Sequence, residues 1–304
     1  MNLKIESIET GKVFSLGWKA RLIILMIVAV GLGVFVYQET LRVLLTNVLH
    51  REGSSHGLFV PFISGYFFWL KREKIREIEI DFSLVQGGAM IALSLVIFYL
   101  SRSSADIALP ALSFILVGSG LIVTLLGKQL FKEVAFPLLF LITMIPLPVN
   151  LYNHIGEWMR QSVTTGSVWL TQLLQLPIYR EGYSIQLPTT KIFIAMGCSG
   201  IRYLLSYFVF SLAYAYLCKR SFRARSLVVL ASFPIALVAG VLRLTSIYLA
   251  VCFIGPFMAE HRPHIFLSWM VFLAVLVVAV AVDQILSRWR EGQRAEGRGH
   301  RVKT

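Results

Sequence analysis

Charge is what this chain has least of. Only 15% of its 304 residues are Asp, Glu, Lys or Arg, where a soluble domain carries about 25%, and 57% are hydrophobic. That balance excludes a water-soluble globule. Acidic residues are the scarcer sign, 16 against 29 basic, for a formal net charge of +13. On a soluble protein this excess would suggest nucleic acid. Here the basic residues lie between apolar runs and form no basic face, so no nucleic-acid partner is expected. Cysteine is rare as well: three residues cannot build a disulfide framework, and none has the CxxC or Cys/His spacing of a structural zinc site. No motif implies a metal or other cofactor. Repeats are missing, and the one biased tract is a polar Arg/Gly-rich tail after Ser287, expected to be disordered.

What is abundant is apolar sequence. A helix needs about 17 to 25 residues to cross about 30 Å of hydrocarbon, and six stretches are at or near that length: Leu22 to Tyr37, Phe82 to Leu100, Ile107 to Leu126, Cys198 to Leu217, Leu227 to Phe253 and Ile265 to Leu286. Two more, Gly57 to Leu70 and Val134 to Ile145, are short and carry Pro61 or Pro137, so they need neighbouring helices to cross. The first stretch has basic residues before it but no small-residue cleavage site after it, unlike a signal peptide.

Basic residues in short loops mark the cytoplasmic side. With eight crossings, five clusters all fall on one face: Lys4 to Arg21, Lys71 to Arg76, Lys128 with Lys132, Lys219 to Arg225, and Arg288 to Lys303. Both termini are then cytoplasmic. The fold class expected is an all-α integral membrane protein with eight transmembrane helices over residues 1–286, an external cap at about 146–197, and a basic cytoplasmic tail at 287–304. Within the cap, Asn150 to Gln175 reads as an amphipathic helix. Pro177 to Pro188 reads as extended, because Tyr183, Ile185 and Leu187 alternate with polar neighbours.

Ionisable residues at the ends of spans or inside them are costly and draw functional suspicion. Cys198 opens the sixth stretch, Arg243 lies in the outer half of the seventh, and His264 opens the eighth. Because the sixth and eighth run inward and the seventh outward, the three reach nearly the same external depth. A thiolate is a nucleophile, an imidazole can take its proton, and a helix start favours the anion. Gly197 and Gly200 let backbone approach closely, and an always-protonated arginine can hold an oxyanion. Blander readings stand beside this one. Cys198 could be a small buried hydrophobe, Arg243 a structural or snorkelling side chain, His261 with His264 a metal pair lacking any carboxylate beyond Glu260, and Cys252 a disulfide partner for Cys198.

Several motifs together resemble the exosortase/archaeosortase family of membrane transpeptidases, bacterial exosortase type. They are Ser55-His56-Gly57-Leu58-Phe59-Val60-Pro61, Phe136 to Leu141 leading to Met144-Ile145-Pro146-Leu147-Pro148, Tyr179-Arg180-Glu181-Gly182, Gly197-Cys198-Ser199-Gly200-Ile201-Arg202-Tyr203-Leu204, Leu242-Arg243, and His264 followed by Ser268-Trp269. The resemblance spans about Ser54 to Trp269. It implies Cys198 as nucleophile, Arg243 as the essential arginine and His264 as the acid/base. Two departures are Gly240, where many relatives have Asn, and Ser268, where relatives tend to have Gly.

The resemblance also implies a multi-pass protein of the bacterial inner membrane with its active site facing the periplasm. Its partners are the bilayer and membrane-anchored protein substrates with a C-terminal sorting signal: a Pro-Glu-Pro motif, one transmembrane helix and a basic cluster. Arg180, Arg202 and His261 are the substrate-binding candidates, with Arg160, Lys191 and Arg262 as further cations for the motif's acidic residue. Rival readings are a membrane transporter, for which two related halves are not seen, and a non-catalytic component of exopolysaccharide secretion.

Overall fold

The computed structural model describes the backbone of residues 9–50, 55–102, 106–218 and 221–301. The side chains of His56 and His261, and all those after Ile285, lie outside the described residues, and with them the substrate-binding expectation for His261. Among the described residues, four helices are long and apolar enough to cross a membrane: Leu84–Ser101, Ala108–Leu126, Phe222–Phe253 and Arg262–Ile285. Two bent pairs, Ile23–Val36 with Gln38–Leu49 and Lys128–Met144 with Val149–Leu173, pass the same test when each is taken as one, giving up to six, and Ile201–Leu217 is a shorter apolar helix. The chain is a mostly helical, multi-pass membrane protein.

It divides into two compact units, Met1–Val149 and Asn150–Thr304. The first contains α1 (Glu9–Val36), α2 (Gln38–His50), α3 (Phe59–Glu77), α4 (Leu84–Ser101), α5 (Ala108–Leu126) and α6 (Lys128–Phe140). Helices α4 and α5 pack at small residues, as membrane helices do when backbones come close. A Cβ on Gly87 would lie 2.0 Å from Thr124 Oγ1, and one on Gly120 2.8 Å from Ile91 Cγ1. Between α1 and α2 the chain bends by 69°. The residue at the bend, Tyr37, is buried; its hydroxyl accepts from Ser113 Oγ at 2.9 Å and lies 3.3 Å from Ser94 Oγ, which donates to the Ser113 carbonyl at 2.7 Å.

The second unit contains α7 (Val149–Leu173), strands β1 (Tyr179–Glu181), β2 (Ser184–Gln186) and β3 (Lys191–Phe193), then α8 (Ile201–Leu217), α9 (Phe222–Phe253) and α10 (His261–Arg301). The strands form one antiparallel sheet in the order β1-β2-β3. Its inward face, including Ile185 and Ile192, joins a core with Val163 and Val168 of α7 and Leu244, Ile247, Tyr248 and Val251 of α9. Three tyrosines on one face of α8 tie it to α10: Tyr203 donates to the Ser268 carbonyl (2.9 Å), Tyr207 to the Phe272 carbonyl (2.9 Å) and Tyr214 to Asp283 Oδ2 (2.8 Å). Residue numbers rise together along both helices, so α8 and α10 run in the same direction in fixed register.

The structure differs from the sequence expectation at three places. The tail after Ser287, expected to be disordered, continues α10 as helix through Arg301; Arg, Glu, Gln and Ala, all good helix formers, dominate that run. The first apolar stretch ends in a bend with a second helix after it. The segment expected to be extended contributes to a three-stranded sheet, whose third strand is Lys191–Phe193.

Candidate active site

Every residue of the site belongs to the second unit. Ile194 and Ala195 leave β3 still extended, and a tight turn over Met196–Cys198 follows, closed by the Cys198 N–H on the Ala195 carbonyl at 2.9 Å. Gly200 then adopts φ +84°, the left-handed conformation that favours glycine, and α8 starts at Ile201. Ser199, fully buried, accepts the otherwise orphaned Ile201 N–H on its Oγ at 3.3 Å. Arg202 in the first turn reaches back to the Gly197 carbonyl at 2.9 Å. The thiol of Cys198 is thereby held just ahead of a helix N-terminus, on a short rigid connection.

Arg243 comes from the interior of α9 and is 7% exposed. A buried guanidinium needs partners for its donors, and three contacts engage its Nε and Nη2. Its Nε donates to Ser268 Oγ at 2.7 Å, Nη2 donates to His264 Nε2 at 2.5 Å, and the same Nη2 lies 3.9 Å from Cys198 Sγ. Its carbon also sits 5.5 Å from the centre of the Tyr203 ring. The hydroxyl of Ser268 passes its own proton to the His264 carbonyl one turn earlier on α10, at 2.6 Å. Cys198 Sγ is 3.8 Å from His264 Nε2. The sulfur, guanidinium and imidazole that the sequence placed at one depth thus lie within 4 Å of each other.

A guanidinium can only donate. A hydrogen bond from Nη2 to Nε2 therefore requires the tautomer in which Nε2 is the acceptor. In this tautomer the nitrogen facing the thiol is the one able to take its proton. Ser268 and Tyr203 are the residues that reading the sequence missed as parts of the site. Serine and tyrosine are ordinary in an apolar helix, and only the register of α8, α9 and α10 reveals their contacts. Gly240 has a local reason too: a Cβ there would lie 2.8 Å from Val163 Cγ2, so Val163 fills the space where a longer side chain would begin.

The expected substrate-binding cations divide differently. Arg180 donates to the Gly182 carbonyl, to Thr165 Oγ1 and to Gln161 Oε1 at 2.7, 2.7 and 2.9 Å, which fastens β1 to α7. Arg160 pairs with Glu157 at 2.7 Å and lies over the Tyr183 ring at 3.6 Å, and Lys191 pairs with Glu181 at 3.3 Å. Arg262 is exposed and has no ion pair among the described residues. In the cap, the Tyr183 hydroxyl and the Arg160 guanidinium both donate to Glu157 and hold its carboxyl below the usual carboxylate range; that carboxylate pushes the Tyr183 phenol up. Among the described residues, no three His, Cys, Asp or Glu side chains are grouped to hold a metal ion.

Comparison with curated proteins and with solved structures finds no match. A family model does match, that of the transmembrane exosortases (Exosortase_EpsH), over residues 46–281. This stretch is most of the chain, contains the Cys198, Arg243 and His264 cluster, and shows that the protein belongs to the transmembrane exosortase family.

Proposed function

We propose that the protein is a membrane-embedded cysteine endopeptidase and transpeptidase that processes the C-terminal sorting signal of secreted proteins through a thioester at Cys198. The observation that carries this reading is the cluster itself: a thiol at 3.8 Å from an imidazole nitrogen poised to accept, with a buried guanidinium beside both.

In the reaction, His264 Nε2 takes the Cys198 proton and the thiolate attacks the scissile carbonyl carbon. Negative charge then develops on the carbonyl oxygen, and the guanidinium of Arg243 is the donor within reach. Arg243 cannot stay on Nε2 once that nitrogen carries a proton, since two cations would face each other. Ser268 keeps the Nε end in place while Nη2 moves from the imidazole to the oxyanion. Collapse of the intermediate breaks the C–N bond, the leaving amine takes the proton from His264, and an acyl-thioester remains. Water or an amine, deprotonated by the same imidazole, attacks the thioester and restores the thiol.

In this reading the chain crosses the bacterial inner membrane eight times, with both termini cytoplasmic. The segment 146–197 lies on the periplasmic side, and the substrate's own transmembrane helix lies beside the bundle with its motif at the level of Cys198. The motif's acidic residue meets a cation, for which Arg262 is the exposed choice.

The test uses a reporter carrying a Pro-Glu-Pro-type signal, a transmembrane helix and a basic tail. Cys198→Ala and Cys198→Ser should abolish its processing with protein level and membrane insertion unchanged. Mass spectrometry of the mature C-terminus then identifies the acceptor, a free carboxylate for water or an added mass for an amine. Full processing by Cys198→Ala ends the nucleophile assignment.

A further inference from the structure

We propose that the open edge of β3 is the docking line for the substrate's extended chain, which joins the cap sheet as a fourth strand and is led along it to Cys198. This rests on the peptidase reading above and adds to it how the peptide is held.

The pairing of β2 with β3 decides which backbone groups are free. The Ile194 N–H donates to the Tyr183 carbonyl at 2.8 Å, and the Leu187 N–H donates to the Thr190 carbonyl at 2.9 Å. Ile185 lies opposite Ile192. Hydrogen-bonded pairs alternate along an antiparallel ladder, so the bonded pairs are Tyr183 with Ile194, Ile185 with Ile192, and Leu187 with Thr190. The N–H and C=O groups of Lys191 and Phe193 therefore point to the other side. β3 is the end strand of the sheet, and among the described residues β2 is the only strand paired with it. Two residues thus offer two donors and two acceptors in a row, a template for an incoming strand.

Proteins usually blunt such an edge with proline, a bulge or a charge directed over it. Thr190 to Ile194 contains no proline, and its ladder has no bulge. The one charge, Lys191, is drawn back across the sheet to Glu181 of β1. Side chains alternate so that Ile192 faces the core while Phe193 stands 67% exposed on the outer face. That leaves an apolar side chain beside the edge for a neighbouring strand to pack on.

The edge also leads somewhere. Cys198 is five steps along the chain from Phe193, at most about 17 Å, and the turn at Ala195 to Cys198 shortens this. A peptide paired with Lys191 and Phe193 and running on a few residues past the strand would bring a carbonyl within that reach of the sulfur. Main-chain pairing of this kind reads an extended backbone, not its side chains. It therefore suits an enzyme that must take one segment from many different proteins.

The experiment separates the backbone edge from side chain, fold and chemistry. Phe193→Pro deletes only an outward N–H that β2 does not use, and the residue before it is already extended, as proline requires. In membranes containing the full-length protein, Phe193→Pro should process the reporter at least tenfold more slowly. Phe193→Ala, which keeps the N–H, should slow it less than threefold. Iodoacetamide should alkylate Cys198 in both at a rate within twofold of the unsubstituted enzyme.

In a Cys198→Ala, Cys218→Ala, Cys252→Ala background carrying Phe193→Cys, single cysteines walked along the reporter should form disulfides at every second position. Processing of Phe193→Pro at the unsubstituted rate, or disulfides without alternation, overturns the edge-strand proposal and leaves the thiol chemistry standing. Should Phe193→Pro lose alkylation along with processing, the cap has been damaged and the disulfide pattern decides. Processing retained in Cys198→Ala defeats the peptidase reading instead.

Discussion

The two compact units bury polar groups for different ends. In the first, Tyr37, Ser94 and Ser113 form a closed set of neutral hydroxyls that satisfy one another and a backbone carbonyl where α1 bends into α2. In the second, the buried polar group is a guanidinium, Arg243, which shares one of its nitrogens between an imidazole and a thiol. A neutral network of this kind holds helices in register and loses little by being static. A buried cation is expensive unless paired with something, and its partners here are a thiol and an imidazole, groups that would change charge in the proposed acyl transfer. The comparison teaches that burial of polarity alone does not mark a site; the ability of the buried groups to exchange protons does.

The contrast can be broken most sharply at Arg243. Arg243→Lys keeps the charge but loses the fork that meets Ser268 and His264 together. Processing of the reporter should fall by about 100-fold or more, while Cys198 stays open to alkylation. A fall below about fivefold would remove the oxyanion role from this side chain.

Ser268→Ala should cost less. The guanidinium keeps its charge and its contact with His264 but loses the hydroxyl that holds Nε, so kcat should drop about threefold to tenfold with KM unchanged. A change confined to KM would mean that Ser268 acts on substrate and not through Arg243. Tyr37→Phe sharpens the other side of the comparison. It removes one shared hydroxyl from a neutral network and should lower stability by about 1 kcal/mol, read as a lower midpoint of thermal unfolding, with the processing rate per folded molecule unaltered.

The smallest effect expected is acid loosening of the cap. Glu157 has its carboxyl pKa lowered from 4.5 by the Tyr183 hydroxyl and the Arg160 guanidinium. A depressed carboxyl contributes stability that is fully present above its unfolded value and is lost as pH falls through the folded one. Protection of the Tyr179 to Phe193 amides, taken relative to their intrinsic exchange at each pH, should thus be flat from neutral pH to about 4.5 and fall only below it, and Glu157→Gln should abolish that pH dependence. Because the pair is exposed, the effect is modest.

The juxtaposition that makes the candidate site was legible in the sequence. Apolar sequence makes every ionisable side chain conspicuous, and the direction of successive crossings brings Cys198, Arg243 and His264 to one depth. The turn at Gly200 was not: the sixth stretch was expected to open at Cys198, and the left-handed glycine that instead starts α8 at Ile201 follows from how the chain leaves β3. Ser268 and Tyr203 were not, because a hydroxyl in a membrane helix is silent until the neighbouring helix shows what it touches. The contacts of Arg180 were equally silent. A cation beside a strand looks available, yet Gln161 and Thr165 of α7 hold it. Lys191–Phe193 is too short to show a period, and it becomes a strand only because β2 supplies its ladder.

Composition, apolar run length and the placing of basic residues were enough to establish a helical protein of the membrane with a thiol, a guanidinium and an imidazole near one end of its spans. Those properties follow from solvation, which acts on each residue according to its own chemistry and so can be read along a line. Register could not be read that way. Whether Arg243 reaches His264 or merely lies at its depth depends on how far α9 and α10 slide and turn against each other, and that is settled by packing between segments distant in the chain: tyrosines against carbonyls, Val163 against Gly240, and one serine under a guanidinium.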